Sequence, residues 1–165
     1  MYQFVEYNHA CADIILKWRN KDKIRNISKN NKIISSDDHY KWIKNIDTKY
    51  LFLFKYYEEY VGFGQINKIT NSKAYWGCYI GVDNALPGSG AILNLCIIKH
   101  AFEHFRFNYL FCEVLSNNPK ALNMQLRIGF KLNENIINEI NRNGKNIIVH
   151  NLSMYKNDWC KISDR

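Results

Sequence analysis

No apolar run in this sequence is long enough to cross a bilayer. Its most continuous stretch, Ala91–Ile98, contains Asn94 and stops at Lys99, whereas a spanning helix needs about 20 apolar residues. The opening Tyr2-Gln3-Phe4-Val5-Glu6-Tyr7 lacks the basic start and small-residue cleavage site of a secretory signal. A cytoplasmic protein without a membrane partner is therefore expected. Cysteines are few and odd in number: Cys11, Cys78, Cys96, Cys112 and Cys160 are widely spaced, with no C-x-x-C pair. A disulfide framework or zinc site needs tighter, paired spacing, so buried free thiols in a reducing compartment, and no metal, are expected. Repeats, low-complexity tracts and linkers are lacking, and 165 residues suffice for one proper core, so 1–165 reads as a single domain.

Acidic residues are also scarce. Fifteen Asp and Glu stand against 23 Lys and Arg, a formal charge of +8, which suggests an anionic partner. The basic residues are scattered rather than gathered into a tail or a helical stripe. Charge alone does not choose among nucleic acid, a membrane surface and a phosphorylated small molecule. No RNP, helix-turn-helix or zinc pattern is present, so nucleic acid is the least supported of the three.

What the chain does have is 47% hydrophobic residues and 15% aromatics, which excludes a disordered polymer. Tyr2–Tyr7 is β-prone, and Cys11–Arg19 places Ala12, Ile15, Leu16 and Trp18 near one helical face. Ser35, with Asp38 three residues on, is an acidic capping box opening a helix over Asp37–Ile46. Strand-like runs Tyr50–Tyr56, Tyr60–Ile69 and Lys73–Val82 follow, separated by short polar turns, an antiparallel meander. Then come a turn over Asn84–Gly90, a long apolar helix Ser89–Phe105, a strand Tyr109–Leu115 and a helix Pro119–Arg127 that Gly129 stops. Lys131–Ile140 and Asn146–Tyr155 alternate as strands around Asn143-Gly144, a strong hairpin signal. The order is an α+β layout built on a central, mostly antiparallel mixed sheet with about four flanking helices.

Gly88-Ser89-Gly90 lies between a strand and a helix. The first N–H groups of a helix have no internal acceptor, and its dipole favours negative charge there. Glycine lets a phosphate approach the backbone. The stretch lacks the lysine of a Walker loop and the three glycines of a dinucleotide fingerprint.

The element order, this loop and two later motifs resemble the GNAT superfamily of N-acetyltransferases. The family's pyrophosphate loop, Gln/Arg-x-x-Gly-x-Gly/Ala, reads here Ala85-Leu86-Pro87-Gly88-Ser89-Gly90, with Ala85 in place of the leading Gln or Arg. A later Asn, Ala and hydrophobic-Gly-Phe series reads Asn117-Asn118-Pro119-Lys120-Ala121 and Ile128-Gly129-Phe130. The resemblance implies acetyl-CoA as cosubstrate. Its phosphates would rest on Leu86, Pro87, Gly88, Ser89, Gly90 and Ala91, its thioester end on Ile80, Gly81 and Val82, and its pantetheine arm beside Asn117, Asn118, Lys120 and Ala121.

The chain is more closely similar to a subgroup that acetylates the 4-amino group of a UDP-linked 4-amino-4,6-dideoxy sugar, the nucleotide amino-sugar N-acetyltransferases of pseudaminic acid biosynthesis. Arg19-Asn20 matches an early Arg-Asn pair, and His39 matches a histidine in a Ser-x-x-x-His helix start. Gly62-Phe63-Gly64-Gln65-Ile66-Asn67-Lys68-Ile69 and Gly77-Cys78-Tyr79 match two strand patterns. The resemblance implies a small-molecule nucleotide-sugar partner held by Arg19, His39, Asn67 and Lys68. Three of these have a plainer reading: Arg19 as a helix-end cation, His39 as helix packing, Lys68 as a solvated strand end.

The resemblance also implies direct attack by the amine, without an acyl-enzyme; no cysteine has an evident activating partner. Backbone N–H groups around Tyr79–Val82 would meet the developing negative charge. Glu113, in Phe111-Cys112-Glu113-Val114-Leu115, is the implied base acting through water, its alternative being a half-exposed cross-strand partner. The family's tyrosine acid, four residues before Gly-Phe, is replaced by Gln125, and an amide has no labile proton near neutral pH. General acid catalysis is worth about 10²–10⁴-fold, less for a thiol of pKa near ~8.5. Slower chemistry, or Tyr79 as substitute donor, is expected.

Other functions remain open from the sequence. The same fold acts on protein N-termini in the ribosomal-protein acetyltransferases, a group that often lacks the tyrosine too. A catalytically inert binding protein of this fold, or a basic nucleic-acid-binding module, stands further off. A monomer or homodimer is expected, since aromatic strands near the C-terminus permit but do not demand pairing.

Overall fold

The computed structural model describes residues 1–135 and 138–163. Six α-helices stand among them: α1 (Ala12–Arg19), α2 (Asp22–Asn26), α3 (Ser36–Asn45), α4 (Ser89–Lys99), α5 (Pro119–Ile128) and α6 (Lys156–Ser163). Eight strands form one sheet: β1 (Tyr2–Glu6), β2 (Leu51–Tyr56), β3 (Glu59–Thr70), β4 (Lys73–Ile80), β5 (Tyr109–Leu115), β6 (Lys131–Leu132), β7 (Asn138–Arg142) and β8 (Lys145–Tyr155). Their order is β1-β2-β3-β4-β5-β8-β6, with β7 also on β8. β4 and β5 pair in parallel over Lys73–Tyr75 and Tyr109–Phe111, while β1–β2, β2–β3, β5–β8, β6–β8 and β7–β8 are antiparallel. The expected α+β mixed sheet is present.

The chain forms two compact units, Met1–Gln65 with Cys78–Ile97, and Ile66–Gly77 with Ile98–Arg165. In the first, Leu51, Phe52, Leu53 and Phe54 are all fully buried, so β2 is covered on both faces. Leu51 and Leu53 pack with Ile15 and Trp18 of α1. Phe52 and Phe54 lie opposite Gly64 and Gly62 on β3. Those two glycines face α4: a Cβ on Gly64 would sit 2.2 Å from Ile97, so the missing side chain is what admits the helix against the sheet. In the second unit, Leu110, Leu152 and Met154 form the sheet's buried face, with Ala101, Phe102 and Trp159 also buried.

The capping box is built as expected: Ser35 Oγ accepts the Asp38 N–H at 3.1 Å and donates to the Asp38 carboxylate at 2.8 Å. Asn143 and Gly144 turn the β7–β8 hairpin with φ of +52° and +79°, the pair of positive values a type I′ turn requires. Three expectations are corrected. The long helix does not run unbroken to Phe105: α4 ends at Lys99 and His100–His104 widen into a π turn, closed by Phe105 N–H on the His100 carbonyl, an i to i+5 bond. The strand expected over Lys131–Ile140 is two short ones, β6 and β7, with residues 136–137 outside the described residues. The helices exceed about four because the short α2 and α6 carried no strong periodic signal.

Candidate active site

The loop after β4 leads straight into α4, whose first residue, Ser89, is buried. Its hydroxyl donates to the Leu86 carbonyl at 2.6 Å and bonds the Tyr2 hydroxyl at 2.7 Å. The buried Asn94 amide donates to the Gly90 carbonyl at 2.6 Å and lies 3.3 Å from Cys78 Sγ. Both side chains therefore fix the loop from inside. Gly88 has φ +89°, and a Cβ there would meet nothing within 4 Å. Ile92 N–H donates to the Gly88 carbonyl, and the amides of Gly90 and Ala91 ahead of it belong to the first helical turn, which has no helical acceptor. An open, glycine-lined helix start of this kind fits an anionic diphosphate.

Just before the loop, β4 ends in a bulge. Gly81 N–H donates to the Val61 carbonyl at 2.9 Å, and Val82 N–H addresses the same oxygen at 3.5 Å. Two successive amides on one acceptor break strand alternation. The Gly81 amide is thus already engaged, whereas Val82's is loosely held. Trp18 lies over Gly81, where a Cβ would fall 2.0 Å from its ring.

A cavity of about 230 Å³ opens beside this strand, lined by Ile15, Arg19, Ile34, His39, Trp42, Phe63, Gln65 and Tyr79. It brings together three residues singled out from separate stretches of sequence: Arg19 at the end of α1, His39 in the first turns of α3, and Tyr79 on β4. His39 is buried and bonds the Ala12 carbonyl through Nε2 at 2.9 Å; a proton on Nε2 leaves Nδ1 as the acceptor. Burial lowers its pKa, opposed by the Ala12 bond and by Asp13, so the neutral ring is favoured. Burial raises the Tyr79 phenol well above its ordinary value, and the Arg19 charge only partly offsets this. A phenol so placed keeps its proton and serves as a hydrogen-bond donor more readily than as an acid. Burial also pushes the Cys78 thiol up to about 12, which removes it as a nucleophile near neutral pH.

Sequence reasoning passed over the cavity's apolar wall and its support. Trp42 is one helical step from His39 and its ring lies 5.6 Å from the imidazole; the i, i+3 spacing was the available signal. Asn20 grips both backbone groups of Ile34, at 2.9 and 2.8 Å, and Arg19 Nη2 donates to the Asn30 carbonyl at 2.6 Å. Both hold the segment 30–34, which ends in a cavity-lining residue, and no spacing rule announces such contacts.

The remaining candidates lie in the second unit. Asn67 is half-buried and Lys68 is exposed at the far end of β3; Lys68 has φ +46° and its Nζ stands 4.9 Å above the Tyr75 ring. A positive φ is uncommon for a non-glycine residue. Glu113 is half-buried on β5, opposite Asn151 of β8. Asn118 caps α5, its Oδ1 accepting the Ala121 N–H at 3.3 Å, while Asn117 and Lys120 are exposed. Gln125 is buried, one turn before Gly129, whose φ of +113° ends the helix.

Comparison with known proteins adds to this geometry. Residues 7–150 match the family model described as an acetyltransferase (GNAT) domain. Acetyltransferase PseH of Campylobacter jejuni subsp. jejuni serotype O:23/36 is 33% identical over 124 residues, 73% of this chain and 77% of that protein. Among solved structures, spermidine N-acetyltransferase from Vibrio cholerae, in complex with CoA and spermine, superposes with a TM-score of 0.85 at 16% identity, covering 96% of this chain and 98% of that one. The structure of yncA from Salmonella typhimurium with acetyl-CoA gives a TM-score of 0.76 at 10% identity, covering 94% of each chain.

Proposed function

We propose, for a chain that belongs to the GNAT acetyltransferase family and takes its acetyl group from acetyl-CoA, that the acceptor is the 4-amino group of a UDP-linked 4-amino-4,6-dideoxy sugar in pseudaminic acid biosynthesis. The observation that carries this reading is the cavity lined by Arg19, His39 and Tyr79. It offers a guanidinium for a diphosphate, an imidazole acceptor, a phenol donor and an apolar wall of Ile15, Ile34 and Trp42 for the deoxygenated part of a sugar. The similarity to PseH supports the same acceptor class.

In this reading the two units act as one acetyltransferase domain, and the family match runs through both. The open backbone of Leu86–Ala91 holds the cosubstrate's phosphates, with Asn117, Asn118, Lys120 and Ala121 along its arm and Ile80, Gly81 and Val82 at the thioester. Acetyl-CoA supplies a carbonyl with a good leaving thiolate. Glu113 draws the proton from the amine through water, and the neutral amine attacks directly. Asn67 and Lys68 contact the acceptor. Tyr79 orients by hydrogen bonding, and with Gln125 at the usual acid position the thiolate leaves without a strong internal acid. Both substrates are anionic, which accounts for the charge of +8 without nucleic acid or membrane.

Free thiol released from acetyl-CoA tests this. The expected result is release with a UDP-4-amino-4,6-dideoxy sugar and none with peptides bearing ribosomal-protein N-termini. Release with the peptides alone overturns the sugar and selects the one competing reading that an observation favours, since Gln125 stands where that group also often lacks a tyrosine.

A further inference from the structure

β1 is an edge strand, yet its first residue reaches the start of α4. Tyr2 pairs with Tyr56 of β2. Its ring stacks on Phe54, with centroids 4.9 Å and planes 8° apart, and tilts against Tyr56 at 4.8 Å. The strand is tied down beyond it, where Tyr57 N–H donates to the Met1 carbonyl at 2.9 Å. Two aromatic contacts and a paired backbone together fix the direction of the phenol. Its hydroxyl ends 2.7 Å from Ser89 Oγ.

The direction of each bond follows from the supply of protons. Ser89 has a single hydroxyl hydrogen. Its 2.6 Å bond to the Leu86 carbonyl uses that hydrogen, because a carbonyl only accepts. Tyr2 is therefore the donor to Ser89. The chain runs from the Tyr2 O–H to the Ser89 O–H to the Leu86 carbonyl, and linked bonds of this kind strengthen one another by roughly 10–30%. Ser89 N–H donates to the same carbonyl at 3.1 Å, which closes Leu86–Ser89 into a four-residue turn. Pro87 stands second and Gly88 third, with φ +89°, the pattern of a type II turn.

The Leu86 carbonyl is thus occupied by a buried hydroxyl and by an amide of its own turn. Asn94 occupies the Gly90 carbonyl in the same way, at 2.6 Å. An unoccupied carbonyl oxygen is the wrong pole for an anion. Engaging both oxygens therefore bears on the charge that the loop offers as well as on its shape.

We propose that Tyr2 is a positioning residue for the cosubstrate's diphosphate, acting through Ser89 to hold the Leu86–Ser89 turn. This rests on the reading that the loop Leu86–Ala91 receives the phosphates. The effect falls on binding rather than on the chemical step, since the same reading puts the thioester at the end of β4. Without the phenolic hydrogen, Ser89 Oγ stays buried with one partner fewer, and one net hydrogen bond corresponds to about three- to tenfold in affinity.

The test compares Tyr2→Phe, Ser89→Ala and the double variant in the full chain, by calorimetric titration with CoA and by steady-state kinetics. Tyr2→Phe keeps the ring and its stacking. It should bind CoA about three- to tenfold more weakly, with kcat at saturating acetyl-CoA within about twofold. Ser89→Ala removes both bonds of the chain and should weaken CoA by about tenfold or more; it carries the test if Tyr2→Phe does not fold. The double variant should bind no more weakly than Ser89→Ala alone, because Tyr2 acts only through that hydroxyl. Unchanged CoA affinity in either single variant, a loss in kcat in place of affinity, or additive losses in the double variant overturns the proposal and leaves the rest of the function standing. Wild-type protein that binds CoA no more tightly than pantetheine, which lacks the phosphates, would instead remove the reading on which the proposal rests.

Discussion

The carboxamide of Asn20 closes a two-bond ring on the backbone of Ile34: Nδ2 donates to the Ile34 carbonyl at 2.9 Å and Oδ1 accepts the Ile34 N–H at 2.8 Å. Ile34 lines the cavity that Arg19, His39 and Tyr79 share, so Asn20 sets a wall it does not itself form. Asn20→Asp keeps the acceptor and loses the donor; Asn20→Ala loses both. Each lost bond is worth about 0.5–1.5 kcal/mol, so KM for the acceptor should rise about threefold for Asp and tenfold for Ala, with KM for acetyl-CoA unchanged. Steady-state kinetics with each substrate varied in turn checks this. Faster hydrogen exchange at the Ile34 amide should accompany it.

His39 gives stability a defined pH dependence. Burial lowers its folded pKa below the ordinary value near ~6.5, so in acid the unfolded chain takes up a proton that the folded chain resists. Stability rises with pH wherever the unfolded state binds more protons. The folded state should therefore lose stability as pH falls below about 6.5, and hold it above. Thermal melts between pH 5 and 8 test this, with His39→Gln flattening that part of the curve.

Cys78 touches the Asn94 side chain that holds the loop. With its thiol pushed up to about 12 by burial, it should carry no acetyl group. Intact mass measured after incubation with acetyl-CoA and no acceptor should show no adduct. Cys78→Ala should keep kcat within about twofold while losing roughly 1 kcal/mol of stability to the small void.

What sequence reasoning captured was local. The capping box at Ser35 and Asp38, the Asn143-Gly144 hairpin and the β2–β3–β4 meander are each encoded within a few residues, where propensity and turn chemistry act. Arg19, His39 and Tyr79 were legible only through family resemblance, since nothing local says that three distant side chains share a cavity. The supports were not legible at all. Tyr2 reaches Ser89 across 87 positions, and Lys21 and Lys23 reach β4 across about 60. Their lysine targets are backbone carbonyls, which every residue possesses, so no residue type at the receiving end betrays the contact. The π turn after α4 was hidden for a related reason: the apolar pattern continues through it.

Gln125 occupies a buried position on α5 where the family resemblance implies a proton donor. Gln125→Tyr would restore a phenol there. The larger side chain should cost about 1–3 kcal/mol of stability through overpacking, yet kcat should rise about threefold to tenfold, a modest part of the range for general acids because the thiolate already leaves well. Melting temperature and kcat measured on the same preparation separate the two effects. A variant that folds without gaining rate would show that thiolate departure does not limit turnover.

Gly81 is where stability and chemistry meet most tightly. Its amide is bonded to Val61, its carbonyl to Lys21, and Trp18 occupies the space a Cβ would need, with three ring atoms 2.0 to 2.5 Å from it. A ring buried between α1 and the sheet is not the loose end of a flexible chain, so Gly81→Ala must displace either Trp18 or the bulge. If Trp18 yields, the cost is overpacking of about 1–3 kcal/mol and the bulge survives. If the bulge yields, the end of β4, which receives the thioester in the proposed function, changes shape and kcat falls with little change in melting temperature. Trp18 belongs to the buried cluster with Ile15, Leu51 and Leu53, whereas the bulge is held by single hydrogen bonds. The bulge is therefore expected to move, and a kcat loss of tenfold or more, alongside a small thermal shift, is the expected outcome. Combining Gly81→Ala with Trp18→Phe, which vacates part of the contested space, should recover activity at the expense of stability.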